Sequence, residues 1–291
     1  MAKTHFDFKK FTIYHDKCAM KVGTDGVLLG AWTEVCPDSK YILDIGTGSG
    51  LIAIMLAQKC NAYIIGIDID EEAVNQATDN GEKTPWSQRL HFEVENALTY
   101  IPQKKFDLIT CNPPFFTNSL QCPGEKRNYA RHSGALPFDA LIANAYTWLN
   151  DGACFNVVLP ASSADAFIQM AWERGFNLHK RCMIHSLPES MPKRALLSFK
   201  KGSTPYPQTT RLMVRDRNGI YTEEYKKRRK IHCQIEWRGR RGCGCSRSSA
   251  TQKTGPMRKS CTSGWSIYFF RLTGIHSSTY PFWGVPPYIS I

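Results

Sequence analysis

The sequence predicts an α/β fold with a doubly wound, mostly parallel sheet, and three stretches carry that prediction. First, Tyr41-Ile42-Leu43-Asp44-Ile45 is an apolar run broken by one aspartate and followed at once by Gly46-Thr47-Gly48-Ser49-Gly50. The stretch after it, Leu51 to Lys59, has the Ala, Leu, Met and Gln content of a helix. Second, the apolar run from Ala62 to Ile67 ends at Asp68 and leads into a helical stretch from Glu71 to Asn80. Third, Phe106 to Cys111 reads as a buried parallel strand that Pro113 and Pro114 stop. Strand, glycine turn and helix in this order put the glycines at the carboxyl edge of a sheet, where open α/β folds take their ligands.

The later elements keep the same alternation. His91 to Glu95 reads as a strand, Phe138 to Leu149 as a helix and Ala153 to Leu159 as a strand. Ser162 to Arg174 reads as a helix with Gly175 at its C-terminal cap. Leu178 to His185 and Ala195 to Lys200 form two further strands, Leu212 to Arg215 a short last one, and Asn218-Gly219 a turn. Alternating strands and helices argue for helices on both faces of one sheet.

The glycine turn limits the ligand. A nicotinamide fingerprint needs G-x-G-x-x-G, and position 51 is Leu; a phosphate-binding loop needs Gly-Lys-Ser/Thr, and the chain has none. What remains is an acid followed by three glycines at alternate positions, and Asp68, 24 residues beyond Asp44, where an acid that holds a ribose hydroxyl is expected. An ordinary strand-to-helix turn of another α/β protein is also compatible with the glycines alone.

Asn112-Pro113-Pro114-Phe115 supplies the second half of the reading. The residue before each proline is held extended, so the Asn112 side chain is aimed. A rigid amide, a bare carbonyl at Pro113 and an aromatic ring suit a planar substrate that carries an amino group.

Together these motifs resemble the class I S-adenosylmethionine-dependent methyltransferases, and within them the amino-methyltransferases whose signature is [N/D]-P-P-[Y/F]. Lys21 to Trp32 and Ala130-Arg131-His132 narrow the resemblance to the bacterial tRNA adenine N6-methyltransferases, over about residues 6–225. The resemblance implies a Rossmann-like, seven-stranded sheet and S-adenosylmethionine as cofactor. It implies that Asp44, Gly46, Gly48 and Gly50 bind the cofactor's methionine part, helped by Thr24 and Asp25. Asp68 would hold the ribose, and Asn96-Ala97 would face the cofactor's adenine, although many relatives carry Asp at the place of Asn96. Asn112, Pro113, Pro114 and Phe115 would receive the target base in a tRNA anticodon loop. Rival readings are a protein-glutamine N5-methyltransferase, a guanine N2 rRNA methyltransferase and a catalytically inactive RNA-binding relative. The first carries a helical domain ahead of the glycine turn, and only 43 residues precede Asp44.

Charge alone does not mark a nucleic-acid binder. Residues 1–225 hold 24 Lys+Arg and 24 Asp+Glu, and the excess sits in residues 226–291, with 13 Lys+Arg and the single acid Glu236. RNA binding by the body therefore rests on local patches. The candidates are Lys126, Arg127 and Arg131 with His132, and Lys193 and Arg194 within a basic stretch to Arg217. Eleven cysteines without a C-x-x-C pair indicate reduced thiols and no metal centre. No apolar leader or membrane-length run occurs, so a cytoplasmic enzyme is expected. The chain divides into a methyltransferase domain, 1–225, and a basic Cys/Arg-rich tail, 226–291, expected to be a frameshifted or disordered segment. A zinc site using His232, Cys233, Cys243, Cys245 and Cys261 is a rival for that tail, with spacing that fits no standard pattern.

Overall fold

The structure, a computed structural model, describes residues 4–114 and 136–230. A short antiparallel pair, β1 (His5–Asp7) and β2 (Thr12–Tyr14), precedes helix α1 (Thr24–Trp32). Then follow β3 (Tyr41–Ile45), α2 (Leu51–Ala57), β4 (Tyr63–Asp68), α3 (Glu71–Glu82), β5 (Leu90–Val94) and β6 (Phe106–Cys111). The second half comprises α4 (Phe138–Trp148), β7 (Leu149–Pro160), α5 (Ala164–Glu173), β8 (Phe176–His185), β9 (Pro192–Lys201), β10 (Gln208–Met213) and α6 (Glu223–Lys230).

Strands β3 to β10 form one sheet in the order β10-β8-β9-β7-β6-β3-β4-β5. The five strands from β7 to β5 are parallel, β9 is antiparallel to both β7 and β8, and β10 is parallel to β8. The fold class is the expected one, but among the described residues the sheet has eight strands rather than seven. Every run that reads as a strand joins it. The eighth strand is β10, and it starts earlier than Leu212 because Gln208 to Arg211 are exposed and leave no apolar alternation to read.

The pleat explains the double winding, since alternate residues face opposite sides. On one side Leu43, Ile45, Ile109, Phe155, Val157, Leu197 and Phe199 meet Leu141 and Trp148 of α4 and Phe167 of α5. On the other, Ile42, Ile64, Leu108, Val158 and Leu196 meet Leu28 and Leu29 of α1, Ile52 and Leu56 of α2 and Tyr225 of α6. Each such side chain contributes about 1.5–3 kcal/mol on burial. That burial, more than propensity, holds α2, which at 7 residues is too short to form alone.

Helix α6 crosses the expected domain boundary at residue 225. Lys226 pairs with Glu223 at 2.6 Å and Arg228 with Glu224 at 3.2 Å, so the start of the basic run completes a helix. The rest of the tail, including the zinc candidates, lies outside the described residues. Among the described residues no group of His, Cys, Asp and Glu has the arrangement of a metal site. No described helix is long and apolar enough to cross a membrane.

Strand order reverses between β3 and β6. From β3 the chain moves outward through β4 and β5, then returns to the opposite side of β3 as β6. A crevice opens at such a switch point outside the carboxyl ends of the two strands. Gly46 and Asn112 stand there, one residue beyond the paired Ile45 and Cys111.

Candidate active site

Gly46, Gly48 and Gly50 all have left-handed backbones, with φ of 67°, 53° and 78°, which a side chain would disfavour. Two hydrogen bonds hook the turn onto the next strand, with Gly46 N–H and Thr47 N–H donating to the Ile67 carbonyl at 2.9 and 3.0 Å. The three glycines then separate by role. A Cβ at Gly50 would meet Ala77 and Phe92 at 3.1 Å, so this glycine serves packing. At Gly46 and Gly48 a Cβ would meet nothing within 4 Å. Those two present bare backbone to open space, a cradle that fits a ligand seated against the main chain.

Asp44 lies underneath. It is fully buried; Thr47 Oγ1 donates to its Oδ2 at 2.8 Å and Thr110 Oγ1 to its Oδ1 at 2.7 Å. Burial pushes its carboxyl up to about 6, against the opposing effect of those two hydroxyls and the Ala53 N–H. Both oxygens are thus engaged from within the fold, and Asp44 braces the turn from below. Asp68 braces it from the side: its Oδ2 accepts from Gly48 N–H at 2.8 Å and its Oδ1 from Asp70 N–H at 3.1 Å. Asn96 follows β5, with its Oδ1 accepting from Leu98 N–H at 2.9 Å, and the Ala97 carbonyl accepts from Asn144 Nδ2 at 2.7 Å. The carboxyl ends of β3, β4 and β5 therefore bring Asp44, the glycines, Asp68 and Asn96-Ala97 to one edge.

Asn112 leaves β6 directly after Cys111, as Gly46 leaves β3 directly after the paired Ile45. Pro113 is buried and Pro114 exposed. The Asn112 Oδ1 is buried and has no hydrogen-bond partner among the described residues. A buried acceptor left unmet costs about 1–3 kcal/mol, so an arrangement that keeps one open is informative. Its Nδ2 lies 4.0 Å from Met20 Sδ. Helix α1 passes close by, and a Cβ on Gly26 would come within 4.0 Å of the same nitrogen.

Thr24 and Asp25 open α1, as expected of residues near the crevice. Asp25, however, is engaged by Arg194, whose Nε lies 2.7 Å from its Oδ2. A residue expected on the cofactor and one expected on RNA are thereby joined across 169 positions of sequence. Lys193 is exposed next to Arg194 at the start of β9. Phe115, Lys126, Arg127, Arg131 and His132 lie outside the described residues.

Four residues at this edge carry no role in the sequence reading. Thr110 holds Asp44 from the neighbouring strand. Asn80, fully buried on α3, donates to the carbonyls of Ser49 and Tyr14 and so ties the glycine turn to the N-terminal pair. Gly66 admits Thr47 and Phe92, whose atoms would sit 2.7 and 2.6 Å from a Cβ there. Met20 meets Asn112. Only Gly66 had a sequence signal, a glycine inside an apolar strand.

Comparison with known proteins gives the family. A family described as a methyltransferase domain matches residues 38–183. A protein of Phocaeicola vulgatus named tRNA1(Val) (adenine(37)-N6)-methyltransferase is 46% identical over 225 residues, covering 77% of this chain and 95% of that relative. Proteins with the same name from Flavobacterium psychrophilum and Proteus mirabilis are 42% and 38% identical, covering 76% and 78% of this chain and 95% and 92% of theirs. Among solved structures, a predicted O-methyltransferase of Agrobacterium tumefaciens shares the fold with a TM-score of 0.56 at 17% identity, over 70% of this chain and 95% of that one.

Proposed function

The chain belongs to the tRNA1(Val) (adenine(37)-N6)-methyltransferase family, and we propose that its Asn112 and Pro113 receive the N6 amino group of the target adenine. The enzyme is an S-adenosylmethionine-dependent tRNA adenine N6-methyltransferase. The name shared by its relatives supports adenine 37 in the anticodon loop of tRNA1(Val) as the finer target. One observation carries the assignment of the acceptor: the buried Asn112 Oδ1, without a partner among the described residues, beside a cradle of bare glycine backbone.

The cofactor, when bound, supplies an electrophilic methyl carbon carried on a sulfonium. Gly46 and Gly48 are the positions where the open backbone fits it, with Asp68 and Asn96-Ala97 along the same edge for its ribose and adenine. Asp44 acts through the turn it braces, and its carboxylate would favour the ammonium and sulfonium charges of the methionine end. Thr24 and Asp25, at the start of α1, are assigned to the same end.

The chemical difficulty is the acceptor. An adenine N6 lone pair is delocalised into the ring, so the nitrogen is a poor nucleophile. Asn112 Oδ1 and the Pro113 carbonyl accept its two hydrogens, favour a tetrahedral nitrogen and release the lone pair; once the nitrogen has gained the methyl group, one of those two protons leaves to water. They are fixed dipoles placed where positive charge develops, and they need no reorganisation. Phe115 is assigned the face of the base, where aromatic stacking is worth about 1–3 kcal/mol. A target in an anticodon loop leaves its stack more cheaply than one in a duplex. Lys126, Arg127, Arg131, His132, Lys193 and Arg194 are assigned to the surrounding RNA, where phosphate contacts position without reading sequence.

Asn112→Ala is expected to abolish methyl transfer while cofactor affinity stays within about twofold, because only the transition state uses the lost acceptor. Calorimetric titration of the cofactor beside a methylation assay on tRNA checks this. Full turnover by the variant would remove Asn112 from the mechanism. Mapping of the methylated nucleotide in tRNA1(Val) tests the finer target.

A further inference from the structure

We propose that Met20 is a positioning residue for methyl transfer: its thioether accepts from the Asn112 amide N–H and so aims Asn112 Oδ1 at the substrate amino group. This rests on the role of Asn112 just described and adds what orients that side chain. Met20 Sδ lies 4.0 Å from Asn112 Nδ2. A thioether sulfur carries lone pairs and no proton, so it can accept but never donate. Of the two amide orientations, only the one with NH2 towards Met20 satisfies it. The reverse would set the amide oxygen against sulfur lone pairs and turn NH2 towards the adenine N6 hydrogens, donor against donor. With NH2 on Met20, Oδ1 is the buried atom left open for a ligand.

The loop that carries Met20 is built to hold it there. Val22 N–H donates to His15 Nδ1 at 3.4 Å and His15 N–H to the Thr4 carbonyl at 3.0 Å, which closes the segment on itself. Lys17 fastens it to α3, through its N–H to Gln76 Oε1 at 3.5 Å and its Nζ to Asp79 at 3.4 Å. Within this closed loop Cys18 is buried, whereas Met20 stays 51% exposed over Asn112. A long apolar side chain kept out of the core by an anchored loop, against a polar site residue, is not explained by packing.

Three substitutions separate shape from hydrogen bonding. Met20→Leu keeps the bulk and removes the acceptor; Met20→Gln keeps similar length and supplies an oxygen acceptor; Met20→Ala removes both. With tRNA substrate, Met20→Leu is expected to lower kcat roughly fivefold to tenfold, the scale of a modest misplacement. Cofactor affinity by calorimetry and the thermal midpoint should stay at wild-type values. Met20→Gln should lie closer to wild type than Met20→Leu, and Met20→Ala should lose at least as much as Met20→Leu. Wild-type kcat in Met20→Leu, or Met20→Gln no better than Met20→Leu, overturns the proposal. Asn112→Ala in the same assay distinguishes the failures. An active Asn112→Ala defeats the acceptor assignment itself, while an inactive Asn112→Ala with unaffected Met20 variants defeats only the role of Met20.

Discussion

At the scale of single residues, Asp44 is where stability and function pull apart. Burial holds its carboxyl protonated up to about 6, against 3.8 for an ordinary aspartate. Between those values the folded chain binds more protons than the unfolded one, so the contribution of Asp44 to stability is full below about 4 and is lost as pH rises through about 6. At about 1.4 kcal/mol per decade, the ionised carboxylate costs on the order of 3 kcal/mol at neutral pH. Asp44→Asn is therefore expected to raise the denaturation midpoint at pH 7, with the gain vanishing towards pH 4. A gap that does not change with pH would defeat the account. The same change should weaken binding of the cationic cofactor about tenfold, the scale of one charge interaction near a surface. Thr110→Val withdraws a hydroxyl that favours the ionised form, so the pH midpoint of cofactor binding should move upward, and Thr110→Ser should restore it. None of this was legible beforehand. Asp44 was readable as an acid before a glycine turn, but its partner Thr110 lies 66 residues away, and nothing local in either stretch announces the pair.

Elements were the most legible scale, and the misses have physical causes. Strands β3, β4, β6, β7 and β9 announced themselves because their central residues are covered on both faces, which demands apolar runs. The pair β1 and β2 has only 3 residues in each strand, below the length at which a period can show. Helix α6 was hidden because its basic residues read as a charge run, and the Glu223 and Glu224 that balance them precede it in the chain. Helix α1 depends on a contact of the same unreadable kind. Lys59 Nζ, at the end of the α2 segment, donates to the carbonyls of Gly30, Ala31 and Thr33 at 2.7, 2.9 and 2.7 Å. Those are the carbonyls that a helix C-terminus leaves without partners. Burial pushes the Lys59 amine down to about 8, so it remains protonated at neutral pH with an acceptor for every proton. Lys59→Met keeps the aliphatic stem and strands the three carbonyls. It is expected to cost about 1.5–3 kcal/mol in denaturant unfolding, the range for hydrogen bonds to a charged group. A loss under about 0.5 kcal/mol would show that solvent caps α1 as well as the lysine does.

At the scale of the whole molecule, the sheet sorts charges that composition mixes. The body is neutral, which concealed any surface for RNA. The carboxyl edge is divided along the switch point. On the β4 and β5 side stand Asp68, Asp70, Glu71, Glu72, Glu93 and Glu95. On the β9 and β10 side stand Lys193, Arg194, Arg215 and Arg217, with Glu189, Asp216 and the Asp25 of α1 as the opposing acids. A cation belongs on the first side and a polyanion on the second, and Asn112 lies on the seam between them. The basic stretch read from the sequence is divided too, because β9 runs antiparallel and carries Lys200 and Lys201 to the opposite edge. RNA is therefore expected to approach over the start of β9 and the loop after β10. Arg217 is paired with Glu189 at 2.8 Å, but that pair is exposed and worth little, so phosphate can compete for the guanidinium. Replacing Lys193 and Arg217 together by Ala should lower the slope of log affinity against log salt by about 1.4 to 1.8, some 0.7–0.9 for each lost phosphate contact. Replacing Lys40 and Lys105, which precede β3 and β6 at the opposite edge, should leave that slope unchanged. Filter binding of tRNA across a salt series reads both doubles. An equal loss of slope in the two would mean that this edge has no special share in holding RNA, and that charge attracts it without regard to where the strands end.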